Sequence, residues 1–180
     1  MKKLYNTERL TIRNLSPDNA SVVLDFYKRN KAFFEPYESK RNDYYYTEEY
    51  HHDTLLTEAT LFQENLFLRY YVFLNSNPNP IGTISFKKSI HDKNNVMILG
   101  YRFDRLFWGN GFANESISYL IDRIFLENLA SKIEAIVHPS NHRSIRLLHK
   151  LGFIHPAGFF RQQEIATGVA DHHLFVLNPK

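Results

Sequence analysis

The pattern of hydrophobic and polar positions is clearest in residues 96–125. An apolar run over residues 96–101 leads into a turn that contains Gly109 and Gly111, and after the turn the apolar residues recur at intervals of three and four. A continuous apolar run is typical of a buried strand, and apolar residues spaced three and four apart are typical of a helix with one buried face. The pattern therefore predicts a strand, a glycine turn and a helix in succession.

The rest of the chain shows the same two kinds of pattern. Residues 8–14 alternate apolar and polar side chains as a half-buried strand does, and Asp18 or Asn19 is placed to cap the helix that follows. Aromatic and aliphatic runs predict further strands, and three-to-four spacing predicts further helices. The predicted strands cover residues 8–14, 66–74, 81–86, 96–103, 133–138, 158–165 and 172–177, and the predicted helices cover residues 19–27, 47–62, 115–125 and 141–151.

The order of these elements carries a topological prediction. A helix lies between the strand at 96–103 and the strand at 133–138, and such crossovers are right-handed connections between parallel strands. These two strands are therefore expected to run parallel, after an antiparallel meander of the earlier strands. The strand at 172–177 is expected either to complete the sheet or to pair with a second copy of the chain.

Length and composition limit what this chain can be. Its 180 residues fit one domain, and the absence of cysteine excludes disulfides, thiolate metal sites and a cysteine nucleophile. The start is basic without an apolar segment, and no later run reaches the length of a membrane span, so a cytoplasmic protein is expected. The net charge of +3 suits an anionic ligand or partner. Acidic residues interleave with Lys and Arg, so no nucleic-acid-binding stripe is evident.

The glycine turn has the features of a phosphate site. The first N–H groups of a helix lack partners and carry partial positive charge, and the small residues Gly109, Gly111 and Ala113 would let a ligand approach them. The turn lacks the Lys-Ser/Thr pair of a P-loop and the third glycine of a dinucleotide fingerprint. It either binds a pyrophosphate on bare amides or serves only as a connection.

The turn resembles the loop with which GNAT N-acetyltransferases bind the pyrophosphate of acetyl-CoA. In that loop Gln or Arg is followed, after two residues, by Gly, one further residue, and Gly or Ala. Here Trp108 stands at the Gln or Arg position, and Gly111 and Ala113 stand at the small positions. An aromatic residue at the first position is usual in the ribosomal-protein branch of that family, the RimJ and RimL types.

The resemblance extends over nearly the whole chain. Residues 8–13 resemble the opening strand of that branch, and Asn141, Ser144 and residues 151–153 resemble its Asn-x-x-Ser and Leu-Gly-Phe segments. The implied fold is the GNAT fold, of α/β (α+β) class, with a central mixed, mostly antiparallel sheet of about seven strands and helices on both faces. That sheet splays between its fourth and fifth strands, here the predicted parallel pair, and the pantetheine arm enters the gap.

The resemblance implies acetyl-CoA as the cofactor and assigns residues to it. The acetyl carbonyl is expected to meet a backbone N–H near Leu99 to Tyr101, at a bulge in the strand. The 3′-phosphate is expected to meet Arg143, Lys150 or a basic residue near the turn. The expected coenzyme-binding residues are Leu99, Tyr101, Trp108, Gly109, Asn110, Gly111, Phe112, Ala113, Asn114, Asn141 and Ser144.

Acetyl transfer needs a neutral amine, a polarised carbonyl and a proton for the departing thiolate. In the resembled branch a Ser protonates the thiolate, and Ser144 matches it, although a Ser in the first turn of a helix also serves as a cap. Asn141 is expected to bind the pantetheine amide, to cap the helix, or both. Glu164 aligns with the base of the RimL type, and a carboxylate on a solvent-facing strand would look the same in the sequence.

The acceptor is predicted less directly. Aromatic residues are frequent in residues 33–52, where the resembled family walls its acceptor pocket, and Phe34 and Tyr37 are the residues assigned to that pocket. The aromatics would equally pack a helix against the sheet. The resemblance implies a protein N-terminus as acceptor, with ribosome association and a homodimer as further expectations. One alternative is a small amine as the acceptor. The other is a non-catalytic module that binds acyl-CoA.

The nine histidines do not predict a metal site. His142 and His149 are seven residues apart on one helix, too far for a one-turn chelate. His172 and His173 would face opposite sides of a strand, and no carboxylate completes a zinc set. No metal is expected.

Overall fold

The computed structural model describes residues 1–89, 94–165 and 168–179, with the side chain of Glu164 outside the described part. One sheet of eight strands has the order β1-β2-β3-β4-β5-β6-β8-β7. The strands are β1 (Leu4–Asn6), β2 (Leu10–Arg13), β3 (Phe67–Leu74), β4 (Pro80–Lys88), β5 (Val96–Phe103), β6 (Lys132–Val137), β7 (Phe160–Ile165) and β8 (Gly168–Leu177). The α-helices are α1 (Ala20–Phe34), α2 (Glu48–Gln63), α3 (Phe112–Leu126) and α4 (His142–Lys150).

The sheet is antiparallel except where β5 meets β6, which confirms the predicted parallel pair. The two strands pair only from Val96 with Lys132 to Leu99 with Ala135. Beyond that point β5 stays paired with β4 up to Phe103, and the end of β6 stays paired with β8. The strands therefore diverge, and the predicted splay is present between them.

Each face of the sheet carries its own hydrophobic core because side chains alternate along β3. Leu68, Tyr70 and Val72 pack in the cluster that includes the buried face of α3, whereas Tyr71 and Phe73 pack with α1 and α2. Helices cover both faces, as the resemblance implied. Within the described residues, no helix combines the length and apolarity needed to cross a membrane.

The structure differs from the sequence prediction at several element boundaries. β1 was not predicted because only one of its three residues, Tyr5, is buried, and so short a segment cannot show an alternating hydrophobic pattern. β8 begins at Gly168 rather than at residue 172, because its first residues are held by hairpin pairing with β7 rather than by burial. β8 lies between β6 and β7, so this strand completes the sheet within the chain. The Asn19 side chain accepts a hydrogen bond from the Ser16 N–H and does not cap α1.

Candidate active site

The gap between the diverging ends of β5 and β6 is a cleft of about 820 Å³. Its walls come from both strands, from the glycine turn before α3, from α4, and from the segment after α1. The predicted coenzyme residues that line it are Leu99, Tyr101, Trp108, Gly109, Gly111, Phe112, Ala113, Asn114, Asn141 and Ser144. Residues predicted from separate stretches of sequence thus meet in one cavity.

The glycine turn forms the cleft end nearest α3. Gly109 and Gly111 have φ values of +84° and +79°, in the left-handed region where side chains other than glycine are strained. Gly111 directly precedes α3, and no side chain caps the helix there. A Cβ atom built at Gly109 would meet no atom within 4 Å, so the backbone of the turn is open to a close approach.

Asn110 is the predicted coenzyme residue that does not line the cleft. Its side-chain amide donates hydrogen bonds to the carbonyl oxygens of Phe107 and Trp108, each at 3.2 Å. Its own carbonyl oxygen accepts a hydrogen bond of 3.1 Å from the Arg9 guanidinium. Asn110 therefore stabilises the turn through hydrogen bonds without lining the cleft.

Arg9 holds this turn, and sequence reasoning did not assign it a role in the site. Its guanidinium pairs with Glu115 of α3 at 2.6 Å and lies 4.6 Å from the centre of the Phe112 ring. Partial burial raises the pKa of Glu115, but hydrogen bonds from Thr7 and Arg9 outweigh it and hold that pKa below its usual value. Arg9 thus fixes the turn to the first turn of α3 from a position about a hundred residues earlier in the chain.

Replacing Arg9 by methionine is expected to raise the KM for acetyl-CoA about three- to tenfold. Methionine keeps an aliphatic side chain but lacks the guanidinium that hydrogen-bonds to the Asn110 carbonyl and pairs with Glu115. Stability should change by less than about 1 kcal/mol, since the Arg9–Glu115 pair is partly exposed. Arg13→Met is the matched control, because Arg13 stacks on Phe73 at 4.5 Å and does not line the cleft. Steady-state kinetics and thermal unfolding of both variants test this expectation, and an equal KM in the two variants would contradict it.

A hydrogen-bonded pair of hydroxyl groups lies at the β5 side of α4. The Tyr101 hydroxyl is 2.5 Å from Ser144 Oγ and 3.4 Å from the Ser144 carbonyl oxygen. Burial raises the pKa of Tyr101 to about 12, although the bond to Ser144 opposes the rise. Tyr101 is therefore a neutral phenol near pH 7. When it donates to Ser144, the Ser144 proton is free to point elsewhere.

Asn141 positions Ser144 at the start of α4. Its side-chain oxygen accepts a hydrogen bond of 3.1 Å from the Ser144 N–H, so Asn141 is the N-cap of the helix. This is one of the two roles expected for Asn141, and the other, toward a pantetheine amide, stays a prediction. The cap uses the backbone of Ser144, which leaves the Ser144 side chain available to Tyr101.

The basic residues considered for the 3′-phosphate share one wall of the cleft. Arg143 lies 3.8 Å from the centre of the Trp108 ring, and the Trp108 indole donates a 2.8 Å hydrogen bond to the Phe103 carbonyl. Arg146 and Lys150 on α4 line the same cavity. The wall is therefore positively charged where α4 approaches the glycine turn.

The aromatic region after α1 serves both of the purposes expected from its sequence. Phe34 and Tyr37 line the cleft, Phe34 with its ring 5.7 Å from that of Phe26 and Tyr37 with 40% of its surface exposed. Tyr45 instead packs in the core beside Tyr27, with ring centres 5.5 Å apart. The segment thus contributes to a core and borders the cleft.

Glu164, the predicted base, lies in β7 opposite Val169 of β8. Its side chain falls outside the described residues, so its role stays a prediction. The neighbouring residues Gln163 and Ile165 line the cleft.

The expected bulge near Leu99 to Tyr101 is not present in the pairing of β5. That strand pairs with β4 in continuous register from Met97 to Phe103. The register shift that occurs in the meander lies between Val72 and Phe73 of β3. The cleft opens because the pairing with β6 ends, and no extra residue is needed to open it.

The histidines lie in separate groups. Among the described residues, no set of three or more His, Asp or Glu side chains is arranged to hold a metal ion. The His172 ring centre lies 5.2 Å from that of His138 beside the cleft, whereas His173 stacks on His155 at 4.5 Å. Adjacent residues of β8 therefore have different neighbours, as the sequence predicted.

The arrangement of strands, turn and helix matches a known family. The family model for the acetyltransferase (GNAT) domain covers residues 9–154. The chain belongs to the GNAT acetyltransferases. Enzymes of this family use acetyl-CoA as the acetyl donor.

Relatives of the chain agree with this GNAT assignment. A probable N-acetyltransferase of Bacillus subtilis, YjcK, is 31% identical over 170 residues, which cover 93% of each chain. The ribosomal-protein-S5-alanine acetyltransferase of Vibrio fischeri has the same fold, with a TM-score of 0.89, 23% identity and coverage of 98% and 97% of the two chains. RimL, described as a ribosomal L7/L12 α-N-protein acetyltransferase in complex with coenzyme A, has a TM-score of 0.86, 16% identity and coverage of 97% of each chain.

Proposed function

We propose that this GNAT protein transfers the acetyl group of acetyl-CoA to the N-terminal α-amine of a protein, with a ribosomal protein as the favoured acceptor. The observation that carries the proposal is the cleft itself. One cavity joins the glycine turn, the diverging strand ends and the Tyr101–Ser144 pair. We propose further that residues 1–180 form one catalytic domain.

The residues present fit acetyl-CoA. The glycine turn offers backbone N–H groups that no side chain caps, at a helix N-terminus that favours phosphate. Arg143, Arg146 and Lys150 supply positive charge on the adjacent wall for the remaining phosphates. The ends of β5 and β6 beyond Leu99 and Ala135 no longer pair with each other. Their facing edges offer backbone hydrogen-bonding groups that suit the amides of a pantetheine chain.

The chemistry supplied by bound acetyl-CoA is an activated thioester. Ser144 is proposed to protonate the departing sulfur, with Tyr101 donating in turn to Ser144 Oγ. A backbone N–H near Leu99 to Tyr101 is proposed to polarise the acetyl carbonyl. For the base, the resemblance to RimL-type enzymes implies Glu164.

A protein N-terminus is supported as acceptor by the wide aromatic border of the cleft and by the shared fold with ribosomal-protein acetyltransferases. Phe34 and Tyr37 line the cleft and offer aromatic surface to a peptide. An α-amine has a pKa near 8, about 2.5 units below that of a lysine, so it needs less help to become a neutral nucleophile. Association with ribosomes and a homodimer belong to the same proposal.

Binding of the coenzyme is tested by thermal unfolding with acetyl-CoA. At about 100 times its Kd, a ligand of the folded state adds about 2.7 kcal/mol of stability, which for a chain of this size raises Tm by roughly 5 to 10 °C. Coenzyme A should give a comparable shift, and NAD and ATP should give none. The absence of a shift with acetyl-CoA would refute the coenzyme site.

The acceptor is tested by turnover of peptides against small amines. A peptide that begins with alanine or serine should be acetylated at its N-terminus. The same peptide with a blocked N-terminus and an internal lysine is the matched control and should be inert. Turnover confined to small amines such as a polyamine would contradict the protein acceptor and leave the coenzyme site intact.

A further inference from the structure

We propose that His172, in place of the Glu164 that the resemblance implies, is the group that takes the proton from the acceptor amine, with His138 beside it as the donor that orients the acceptor. This inference rests on the proposed acetyl transfer and deepens it. It assigns a catalytic role to a histidine pair, of which His172 is buried and His138 is partly exposed, that the resemblance did not include. His172 is 4% exposed and lines the cleft, and its ring meets that of His138 edge to face at 5.2 Å.

The hydrogen bond of His172 determines which ring nitrogen can accept a proton. Its Nδ1 lies 2.9 Å from the carbonyl oxygen of Ala170, and a carbonyl oxygen only accepts, so Nδ1 carries the hydrogen. The lone pair of the neutral ring is then on Nε2. Within residues 1–89, 94–165 and 168–179, Nε2 has no hydrogen-bond partner. His172 is thus held in the tautomer that a base requires.

His138 is held in the opposite tautomer. The Ser140 N–H donates to His138 Nδ1 at 3.2 Å, and Ser140 Oγ lies 2.8 Å from the same nitrogen. Because Nδ1 accepts, the hydrogen of the neutral His138 ring is on Nε2. The pair therefore offers one proton acceptor and one donor at the same wall of the cleft.

The position of the pair separates it from the Tyr101–Ser144 pair. His138 follows β6 directly and lies beside Tyr37, with ring centres 6.2 Å apart, on the border assigned to the acceptor. Ser144 lies on α4 against β5. One pair is therefore placed toward the amine and the other toward the coenzyme.

The proton transfer balances without a further reagent. The N–H bond of the ammonium breaks, its electron pair stays on nitrogen as the nucleophilic lone pair, and the proton forms a bond to His172 Nε2. The imidazolium then releases the proton to water in the cleft. Histidine suits this step because its ordinary pKa of about 6.5 lies near neutral pH. The titratable groups around the pair are Tyr37, His173 and Arg161, the last being the register partner of His172 on β7.

The test compares His172→Asn with His173→Asn. An asparagine at 172 has a side-chain N–H that can replace the Nδ1–H bond to Ala170, but it has no basic nitrogen. The expected result is a fall in kcat of about 100-fold near neutral pH, with the KM for acetyl-CoA changed by less than about threefold. The His173 side chain lies on the opposite face of β8, stacked on His155, so its variant should keep the wild-type kcat.

The pH profile distinguishes a base from a structural residue. An α-amine with a pKa of about 8 loses its proton unaided in alkaline solution, so the defect of His172→Asn should shrink to less than about tenfold near pH 9.5. A defect of constant size across pH would assign His172 a structural role and overturn the proposal. So would a wild-type rate in His172→Asn combined with a pH-dependent loss in Glu164→Gln.

Nuclear magnetic resonance of the wild-type protein tests the proposal without any variant. Neutral His172 should be observed as the Nδ1–H tautomer, with the hydrogen on the nitrogen that faces the Ala170 carbonyl oxygen. The Nε2–H tautomer would overturn the proposal even if His172→Asn does not fold.

Wild-type turnover separates this proposal from the acceptor assignment. If the wild-type enzyme acetylates only small amines, the protein acceptor is wrong, and the histidine variants are then measured with the amine that is used. If it acetylates neither the alanine peptide nor a small amine while binding acetyl-CoA, the acetyl transfer and the role of His172 are both wrong.

Discussion

Replacement of Ser144 by alanine is expected to lower kcat by about 100-fold, because the thiolate would lose its proposed proton donor. Binding of coenzyme A should change by less than about threefold, since the N-cap bond from Asn141 goes to the backbone of Ser144, which alanine keeps. Steady-state kinetics at saturating acetyl-CoA measure the first quantity, and calorimetric titration with coenzyme A measures the second. An unchanged kcat would mean that the Ser144 hydroxyl only pairs with Tyr101 and does not protonate the thiolate.

Two further variants make the Ser144 experiment specific. Tyr101→Phe removes the hydroxyl that hydrogen-bonds to Ser144 Oγ but keeps the Ser144 hydroxyl, so a smaller loss of about tenfold in kcat is expected. Ser118→Ala is the matched control, because Ser118 lies on α3, hydrogen-bonds to the Glu115 carbonyl and does not line the cleft. A Tyr101→Phe loss larger than that of Ser144→Ala would make Tyr101 the direct proton donor.

Replacement of Gly111 by alanine is expected to raise the KM for acetyl-CoA at least about tenfold. The residue has a φ of +79°, which costs an alanine roughly 1 to 2 kcal/mol. The turn would relieve this strain by shifting the N–H groups that are proposed to bind the pyrophosphate. A built Cβ lies 3.6 Å from the Arg9 guanidinium, so simple crowding is not the cause.

Gly158→Ala is the control for backbone strain at Gly111. Gly158 has a φ of +76°, a built Cβ there meets no atom within 4 Å, and the residue does not line the cleft. Both variants should lose a similar free energy of unfolding, seen as a fall in Tm of about 2 to 4 °C for each kcal/mol. Only Gly111→Ala should change the KM for acetyl-CoA. Equal KM values in the two variants would mean that the turn does not contact the coenzyme.

The glycine turn and its flanking elements could be predicted because their signals are local. The apolar run that became β5, the spacing that became α3 and the small residues between them are each read within one stretch of sequence. The parallel pairing of β5 and β6 follows from the crossover through α3. These elements set the position of the cleft, which explains why most of the predicted coenzyme residues line it.

Weak local signals account for the errors in the fold. β1 has a single buried residue, Tyr5, and its pairing with β2 depends on the neighbour rather than on its own pattern. The first residues of β8 are held by β7 and include Asp171, which propensity disfavours in a strand. Hydrogen bonding to a neighbouring strand, rather than hydrophobic alternation within the segment, defines both of these stretches as strands.

The amino-acid sequence alone determined most of the elements, their order, the position of the glycine turn and the family resemblance, because each of these depends on residues close together in the chain or on a recognisable motif. Tertiary structure alone decided which side chains share a hydrogen bond. Tyr101 meets Ser144 across 43 positions and Arg9 reaches Asn110 across 101, while His138 and His172 meet through the pairing of β6 with β8. Such contacts depend on strand register and helix placement, and a one-residue slip would turn every side chain of a strand to the opposite face.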